Sequence, residues 1–378
     1  MANNTAFVVI GGGLNALGVI RSLANSCHVV LATHQVDGPA WRSRYAHKWQ
    51  TCKTNSEEFI EQLITFGTHN VTKPILLPTE ELCVTLLSQH LEELKKYFTV
   101  DLIPSQDVER LQSKQGIQEL AEQANSPIPR SITIESPSDL ASLEQLEFPC
   151  IFKPLKQNPE YGRRFKKGYK VNSLGEISEL YKEIHSVNPE MIAQEWINGG
   201  DSDIYFYLCF LSREGKEVTS FCGRKLRSWP VGVGGTASCT ASPERHEELQ
   251  KLTIEFCEKT GFTGLIGMEY KWDPIKKQFY IIEPTVGRTD FQHEVATLSG
   301  VNFLQEIGYF FGKCTKPERY SKKVVWRESY ADKMALSTGN FIEEGKGYSY
   351  FDALFRISDP MPLVSTITKK IGRKLKLS

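Results

Sequence analysis

The sequence predicts an α/β protein: an N-terminal Rossmann-like parallel sheet, then an α+β core of two subdomains. Three observations carry this. Residues 6 to about 105 alternate short apolar runs with helical patterns, the arrangement of a parallel sheet with crossover helices. Tyr205 to Arg224 alternates as antiparallel strands, and a hairpin at 265–285 carries an acid on each arm. The chain's 378 residues exceed what one simple core organises.

Taken in order, Phe7-Val8-Val9-Ile10 is a strand, and Gly11-Gly12-Gly13 turns tightly into a helix from Ala16 to Ala24. Val29 to Ala32 and Pro74 to Pro78 are further strands, the latter followed by a helical run from Glu80 to His90. The glycine turn invites a dinucleotide reading. However, Ala16 stands where the third glycine belongs, Gly18 comes two residues late, and Thr33-His34-Gln35 supplies no acid after the second strand. Nicotinamide binding therefore ranks below a strand–turn–helix whose glycines allow close packing or face a substrate.

From about residue 106 the composition changes. Lys114 opens an amphipathic helix through Ala124, Ser126 to Arg130 breaks it, and Ile132 to Ile134 resumes as a strand. Pro149 to Pro154 is a strand, followed by a basic, glycine-bearing loop to Gly168 and a helix from Leu174 to His185. Met191 to Ile197 is a strand running into Asn198-Gly199-Gly200-Asp201, and Val295 to Phe311 is helical. The expected divisions are 1–105, 106–195, 196–314 and a C-terminal extension, 315–378.

Composition excludes several classes. With 45 basic and 45 acidic residues the net charge is zero, against a dedicated nucleic-acid binder. No run approaches the length of a membrane span, and no signal peptide is read. Nine scattered cysteines without a CxxC pair fit buried thiols in a reducing compartment, so cytoplasm is expected. Near the end, Lys369, Lys370, Arg373, Lys374 and Lys376 interleave with Ile367, Ile371, Leu375 and Leu377. A solvated terminus is the first reading of this tail, and weak contact with an anionic membrane surface the second.

The hairpin carries the sharpest signal. If its pairing is centred on Lys276, Glu269 and Glu283 fall opposite each other. Opposed Cβ atoms lie about 4.5–5.5 Å apart, and like charges there are destabilising. A cation is therefore expected between them. Mg2+ takes carboxylate oxygens and keeps substrate phosphates as its other ligands; the alternative is neutralisation by Lys271 in a surface salt bridge. Lys153 ends a buried strand, where an unpaired ammonium is costly. The loop after it holds Lys156, Arg163, Arg164, Lys166, Lys167 and Lys170 with Gly162 and Gly168, and suits phosphates. The backbone of Gln194-Glu195-Trp196-Ile197 suits an adenine edge, with Glu195 near the exocyclic amine. Asp201 and Asp203 suit ribose hydroxyls or turn capping.

In this order the residues resemble the ATP-grasp superfamily, and more narrowly its carboxylate–amine ligases, over roughly 105–312. The resemblance implies an ATP-grasp fold of two α+β subdomains behind the Rossmann-like domain. It implies Lys114 and Lys153 as nucleotide lysines, Gln157 to Gly168 as the phosphate loop, and Gln194, Glu195, Trp196, Ile197 and Asp203 around the nucleoside. Glu269 and Glu283 would hold Mg2+, with Mn2+ as a substitute. Where such proteins usually read Glu-x-Asn-x-Arg, this chain reads Glu283-Pro284-Thr285-Val286-Gly287-Arg288. Thr285 thus replaces a metal-binding asparagine, and Arg288 stands one residue late.

The implied reaction joins a carboxylate, small or glycan-linked, to an amine such as an amino acid. It runs through an acyl phosphate and releases ADP and phosphate. Arg224, followed by Gly232, Gly234 and Gly235, would clamp the acyl group, and Arg288 would steady developing charge. His293 and Glu294 are candidate bases, or simply an exposed helix start. A homo-oligomer is expected. A non-catalytic nucleotide-binding regulator is the alternative that Thr285 keeps open.

Overall fold

The computed structural model describes residues 4–156, 158–339 and 346–375, with side chains through residue 368. Gln157, at the start of the expected phosphate loop, and the basic side chains of the tail from Lys369 to Lys376 lie outside the described residues.

Four parallel strands, β1 (Phe7–Ile10), β2 (Val29–Thr33), β3 (His47–Gln50) and β4 (Ile75–Pro78), form the first sheet in the order β3-β2-β1-β4. β1 is buried throughout, because apolar layers cover both of its faces. A strand covered on both sides reads as a continuous apolar run. β3 escapes sequence reading because its His-Lys-Trp-Gln has no such run; it is one of the two strands at the ends of the sheet, and Trp49 stacks on Phe66 at 4.6 Å.

The second sheet is antiparallel: β5 (Ser131–Ile134), β6 (Cys150–Pro154), β7 (Tyr169–Val171) and β8 (Met191–Glu195), ordered β5-β8-β6-β7. It has its own core, in which Phe152, Tyr181 and Ile177 are buried. The segment before β7, expected as a loop, contains a short helix, Pro159–Arg164. The Asn158 side chain caps it by accepting from the backbone N–H groups of Glu160 and Tyr161.

The third sheet has seven strands: β9 (Ile204–Leu211), β10 (Glu217–Trp229), β11 (Gly235–Ala241), β12 (Gly264–Asp273), β13 (Gln278–Val286), β14 (Val324–Arg327) and β15 (Ser349–Asp352), in the order β13-β12-β9-β10-β11-β14-β15. Two of these strands come from the segment expected to be a C-terminal extension; it completes the large sheet. The core under that sheet is continuous with the core of the N-terminal sheet, since Phe7, Leu17, Phe206, Leu208 and Trp326 share one cluster. The single helix expected over 295–311 is two, Glu294–Ser299 and Phe303–Phe310. Gly300 breaks them at φ +110°, and a Cβ there would lie 1.9 Å from the Tyr320 carbonyl oxygen.

Arg21 ties the C-terminal segment to the first domain. Its guanidinium meets Asp359 at 3.1 Å and donates to the carbonyls of Ala353 and Leu354. Among the described residues, no helix is long and apolar enough to cross a membrane.

Candidate active site

β12 and β13 form the hairpin the sequence predicts, with Glu269 directly opposite Glu283. The register has a twist the sequence hides. Near the turn Tyr270 pairs with Ile281 and Asp273 with Gln278, a pairing offset by one residue. A bulge at Ile282 absorbs that residue and brings Glu283 onto the face of Glu269. Pairing continued from the turn without it would set Ile282 opposite Glu269.

A cation meets these acids, and it is neither of those expected from the hairpin alone. Lys225 on β10, almost fully buried, places its Nζ 2.7 Å from Glu269 Oε1. Lys271 instead lies over the Trp196 ring at 4.9 Å, near Asp201 and Asp203. Side chains alternate across a strand. Because Lys225 points at Glu269, its neighbour Arg224 points to the opposite face, in the row of Tyr205 and Tyr270. Lys225, and not Arg224, therefore faces the carboxylates. The sequence held both residues side by side; only the register of β9, β10 and β12 decides which one faces the acids.

Above the acids stand two lysines. Lys153 on β6 donates to Gln194 Oε1 at 3.2 Å, and Lys114, at the start of the helix Lys114–Gln123, donates to the Pro154 carbonyl. Burial depresses the Lys114 ammonium to about 8; Lys153 adds to this and Glu283 opposes it. Burial likewise lowers Lys153, with Glu283 again opposing. Glu283 keeps solvent contact in the open cleft, yet protein crowds it from the cleft walls. That desolvation, then the carboxylates of Glu269 and Asp290, push its pKa up, against the pull of Lys225 and Lys153. Lysines and acids thus act on one another across one cleft between the second and third sheets.

The end of the hairpin differs from expectation. The Thr285 hydroxyl donates to Asp290 Oδ2 at 3.0 Å, and Arg288 donates to Asp290 Oδ1 at 3.0 Å. Arg288 also approaches Glu81 of the N-terminal domain at 3.7 Å. Asp290 was missed: an acid five residues past Thr285, beyond a glycine turn, has no spacing signal of its own. His293 and Glu294 are not an exposed helix start. Both are buried; His293 Nδ1 bonds the Asp290 carbonyl, while Glu294 accepts from Trp326 Nε1 and Arg356. Burial lowers His293 to about 4, which keeps it neutral, so neither is placed as a base.

The segment between β8 and β9, expected to face the nucleoside, is the hinge that joins the second and third sheets. After β8, the Asn198 backbone N–H and side-chain amide both donate to Asp273 Oδ2 at 3.1 Å, fixing the segment to the end of β12. Asp273 was also missed; it reads as a turn residue, and it does hold the hairpin turn through the Ile275 and Lys276 amides. The Glu195 carboxylate accepts from the Glu147 backbone N–H, so its side chain serves the second sheet. Two ammonium groups lie over the Trp196 ring, Lys170 at 4.5 Å and Lys271 at 4.9 Å from its centre. Asp203 Oδ2 accepts from the Gly200 N–H at 2.8 Å, the capping contact expected of it.

The N-terminal glycine turn is closed by its own neighbours. A Cβ on Gly12 would lie 2.5 Å from Gln35 Cβ, and one on Gly11 2.3 Å from Thr79 Oγ1. Gly11 and Gly12 thus serve close packing, whereas a Cβ on Gly13 would meet open space.

Two opposed carboxylates near two buried lysines fit Mg2+, which is usually bound by one or two carboxylates plus nucleotide phosphates. Among the described residues no three histidine, cysteine or acidic side chains gather to hold a metal by themselves. Glu269 is turned to Lys225 and Asp290 to Arg288.

No family model matches the chain. It is 24% identical over 319 residues to a D-aspartate ligase of Enterococcus faecium (strain Aus0004), a match covering 79% of this chain and 75% of the relative. Among solved structures it resembles the N5-carboxyaminoimidazole synthetase of Staphylococcus aureus complexed with ADP. That likeness has TM-score 0.64 and 16% identity, over 86% of this chain and 84% of the other. The biotin carboxylase domain of the Hydrogenobacter thermophilus 2-oxoglutarate carboxylase, solved with MgADP, matches with TM-score 0.58 and 13% identity, over 83% and 71% of the chains. Three sheets, a two-carboxylate hairpin near paired lysines and these likenesses agree: the chain has the ATP-grasp fold.

Proposed function

We propose that the protein is an ATP-dependent carboxylate–amine ligase with an amino acid among its substrates. The observation that carries this is Glu269 opposite Glu283 beneath Lys114 and Lys153, in one cleft. The D-aspartate ligase relative supports an amino acid, D-aspartate first, as one of the joined molecules.

Each group then has a task. The Ile197 backbone and Asp203 receive the adenine and ribose. Lys114 and Lys153 hold the nucleotide phosphates. Mg2+ on Glu269 and Glu283, replaceable by Mn2+, would neutralise charge on the phosphates. A substrate carboxylate oxygen attacks the γ-phosphorus in line; the bond from that phosphorus to the β,γ-bridging oxygen breaks and ADP leaves. Arg288, braced by Asp290, stands over the resulting acyl phosphate. The amine attacks the acyl carbon, phosphate departs with the C–O bonding electrons, and the amine's proton passes to solvent. Closing the cleft keeps water from the acyl phosphate. Free cysteines at Cys83, Cys150, Cys209, Cys222, Cys239 and Cys257, all buried, support a reducing, cytoplasmic setting.

The test is ADP release with ATP and Mg2+ across a panel of carboxylates and amines, D-aspartate included, with Glu283→Ala as control. Release that requires both partners and vanishes in the variant is the expected result. Tight ATP binding with no release from any pair favours a nucleotide-binding regulator.

A further inference from the structure

Asp201 is a buried carboxylate whose geometry serves neither the metal nor the nucleotide directly. It lies in the short turn Asp201–Asp203, between the hinge and β9, with 5% exposure. Its Oδ2 accepts from the Ser228 backbone N–H at 3.0 Å, and its Oδ1 from the Gly232 backbone N–H at 2.9 Å. Those two amides flank Trp229, the last residue of β10, and Pro230-Val231, which open the glycine-rich connection to β11. One carboxylate therefore grips the loop at two points.

The loop needs such a grip. Pro230, Val231, Gly232 and Gly235 are exposed, and Gly232 sits at φ +81°. It folds back so closely that a Cβ on Gly234 would lie 2.0 Å from the Trp229 carbonyl carbon. On the other side, the residues around Asp201 belong to the hinge. Asp203 caps Gly200, Asn198 is fixed by Asp273, and Lys271 feels the charges of both Asp201 and Asp203 while lying over Trp196. The strand that leads into the loop carries Lys225, the partner of Glu269.

We propose that Asp201 is a positioning residue that couples the nucleotide hinge to the glycine loop, so that filling the hinge orders the loop. This rests on the reading of the cleft as a nucleotide site. Two charge-assisted hydrogen bonds join the segments, and coupling of this kind is reciprocal: whatever steadies the hinge steadies the loop. Asparagine at 201 keeps the shape but offers one acceptor oxygen, and its NH2 group faces an N–H donor. One of the two tethers is then lost.

The experiment is amide hydrogen exchange over 226–236 in the full chain, with and without MgADP, beside calorimetric ADP binding, for wild type and Asp201→Asn. In wild type, MgADP slows exchange of the loop. In the variant the loop exchanges about tenfold faster, as loss of one hydrogen bond to a charged group implies. MgADP no longer slows it, and by reciprocity ADP affinity falls by no more than the factor of loop protection lost. Equal slowing by MgADP in both proteins overturns the proposal. If the variant does not fold, wild type alone decides: a loop indifferent to MgADP overturns the coupling. A wild-type chain that binds no ADP at all overturns the nucleotide reading as well.

Discussion

Replacing Lys225 with methionine tests the cleft floor directly. Methionine keeps much of the side chain's length but removes the ammonium 2.7 Å from Glu269 Oε1; the two side chains are 5% and 20% exposed. Coulomb's law at that separation, with an effective dielectric of about 20, gives roughly 6 kcal/mol of attraction. Desolvation of the ammonium offsets part of it, and removing one partner of a buried pair costs about 3–5 kcal/mol in practice. Because Glu269 retains solvent contact, the lower end, about 3 kcal/mol, is expected. The variant also leaves Glu269 facing Glu283 with no cation between them. A divalent ion on the two carboxylates should then restore most of the loss. Urea unfolding followed by tryptophan fluorescence, in EDTA and in millimolar MgCl2, reads both effects. A variant as stable as wild type in EDTA, or one that magnesium leaves unchanged, refutes the assignment of this pair as a metal site.

Three more outcomes follow from the geometry. Lys114 is held near 8 by burial, so its ammonium is lost from the empty cleft as pH rises through that value. ADP affinity should fall between about pH 7.5 and 9.5 in wild type and much less in Lys114→Arg, whose guanidinium stays charged; equal slopes by calorimetry would remove Lys114 from the phosphate site. The same depressed pKa means the unfolded chain binds more protons between about 8 and 10.5, so this group's contribution to stability rises with pH there. Asp273→Ala strips acceptors from Asn198, Ile275 and Lys276. It should cost about 2–4 kcal/mol in urea unfolding and weaken ADP; unchanged ADP affinity would show that the hinge does not depend on Asp273. Gly12→Ala drives a Cβ to 2.5 Å from Gln35 Cβ and should destabilise by about 1–3 kcal/mol. ADP affinity should stay the same and NADH should bind neither protein; NADH binding to wild type would return the nicotinamide reading.

Much of the architecture is legible in the residues, for a definite reason. β1, β2 and β4 are covered on both faces, so their apolar runs stand out; β3, an edge strand, has none and is invisible. The acidic hairpin is legible because a short turn restricts which residues pair, and Lys153 because an ammonium at the end of an apolar strand demands a partner. Sequence alone therefore determined a parallel domain, an antiparallel core, the two opposed acids and the ATP-grasp resemblance. Tertiary structure decided the rest, because those features depend on contacts between segments far apart in the chain. The bulge at Ile282 sets which face Glu283 takes, and the register across β9, β10 and β12 makes Lys225, not Arg224, the partner of Glu269. β14 and β15 enter the large sheet from beyond residue 315, and Asp201 and Asp290 find their partners only when the chain is folded. Local pattern is written in neighbouring residues; the pairing of distant strands and the burial of single charges is settled only when the sheets meet.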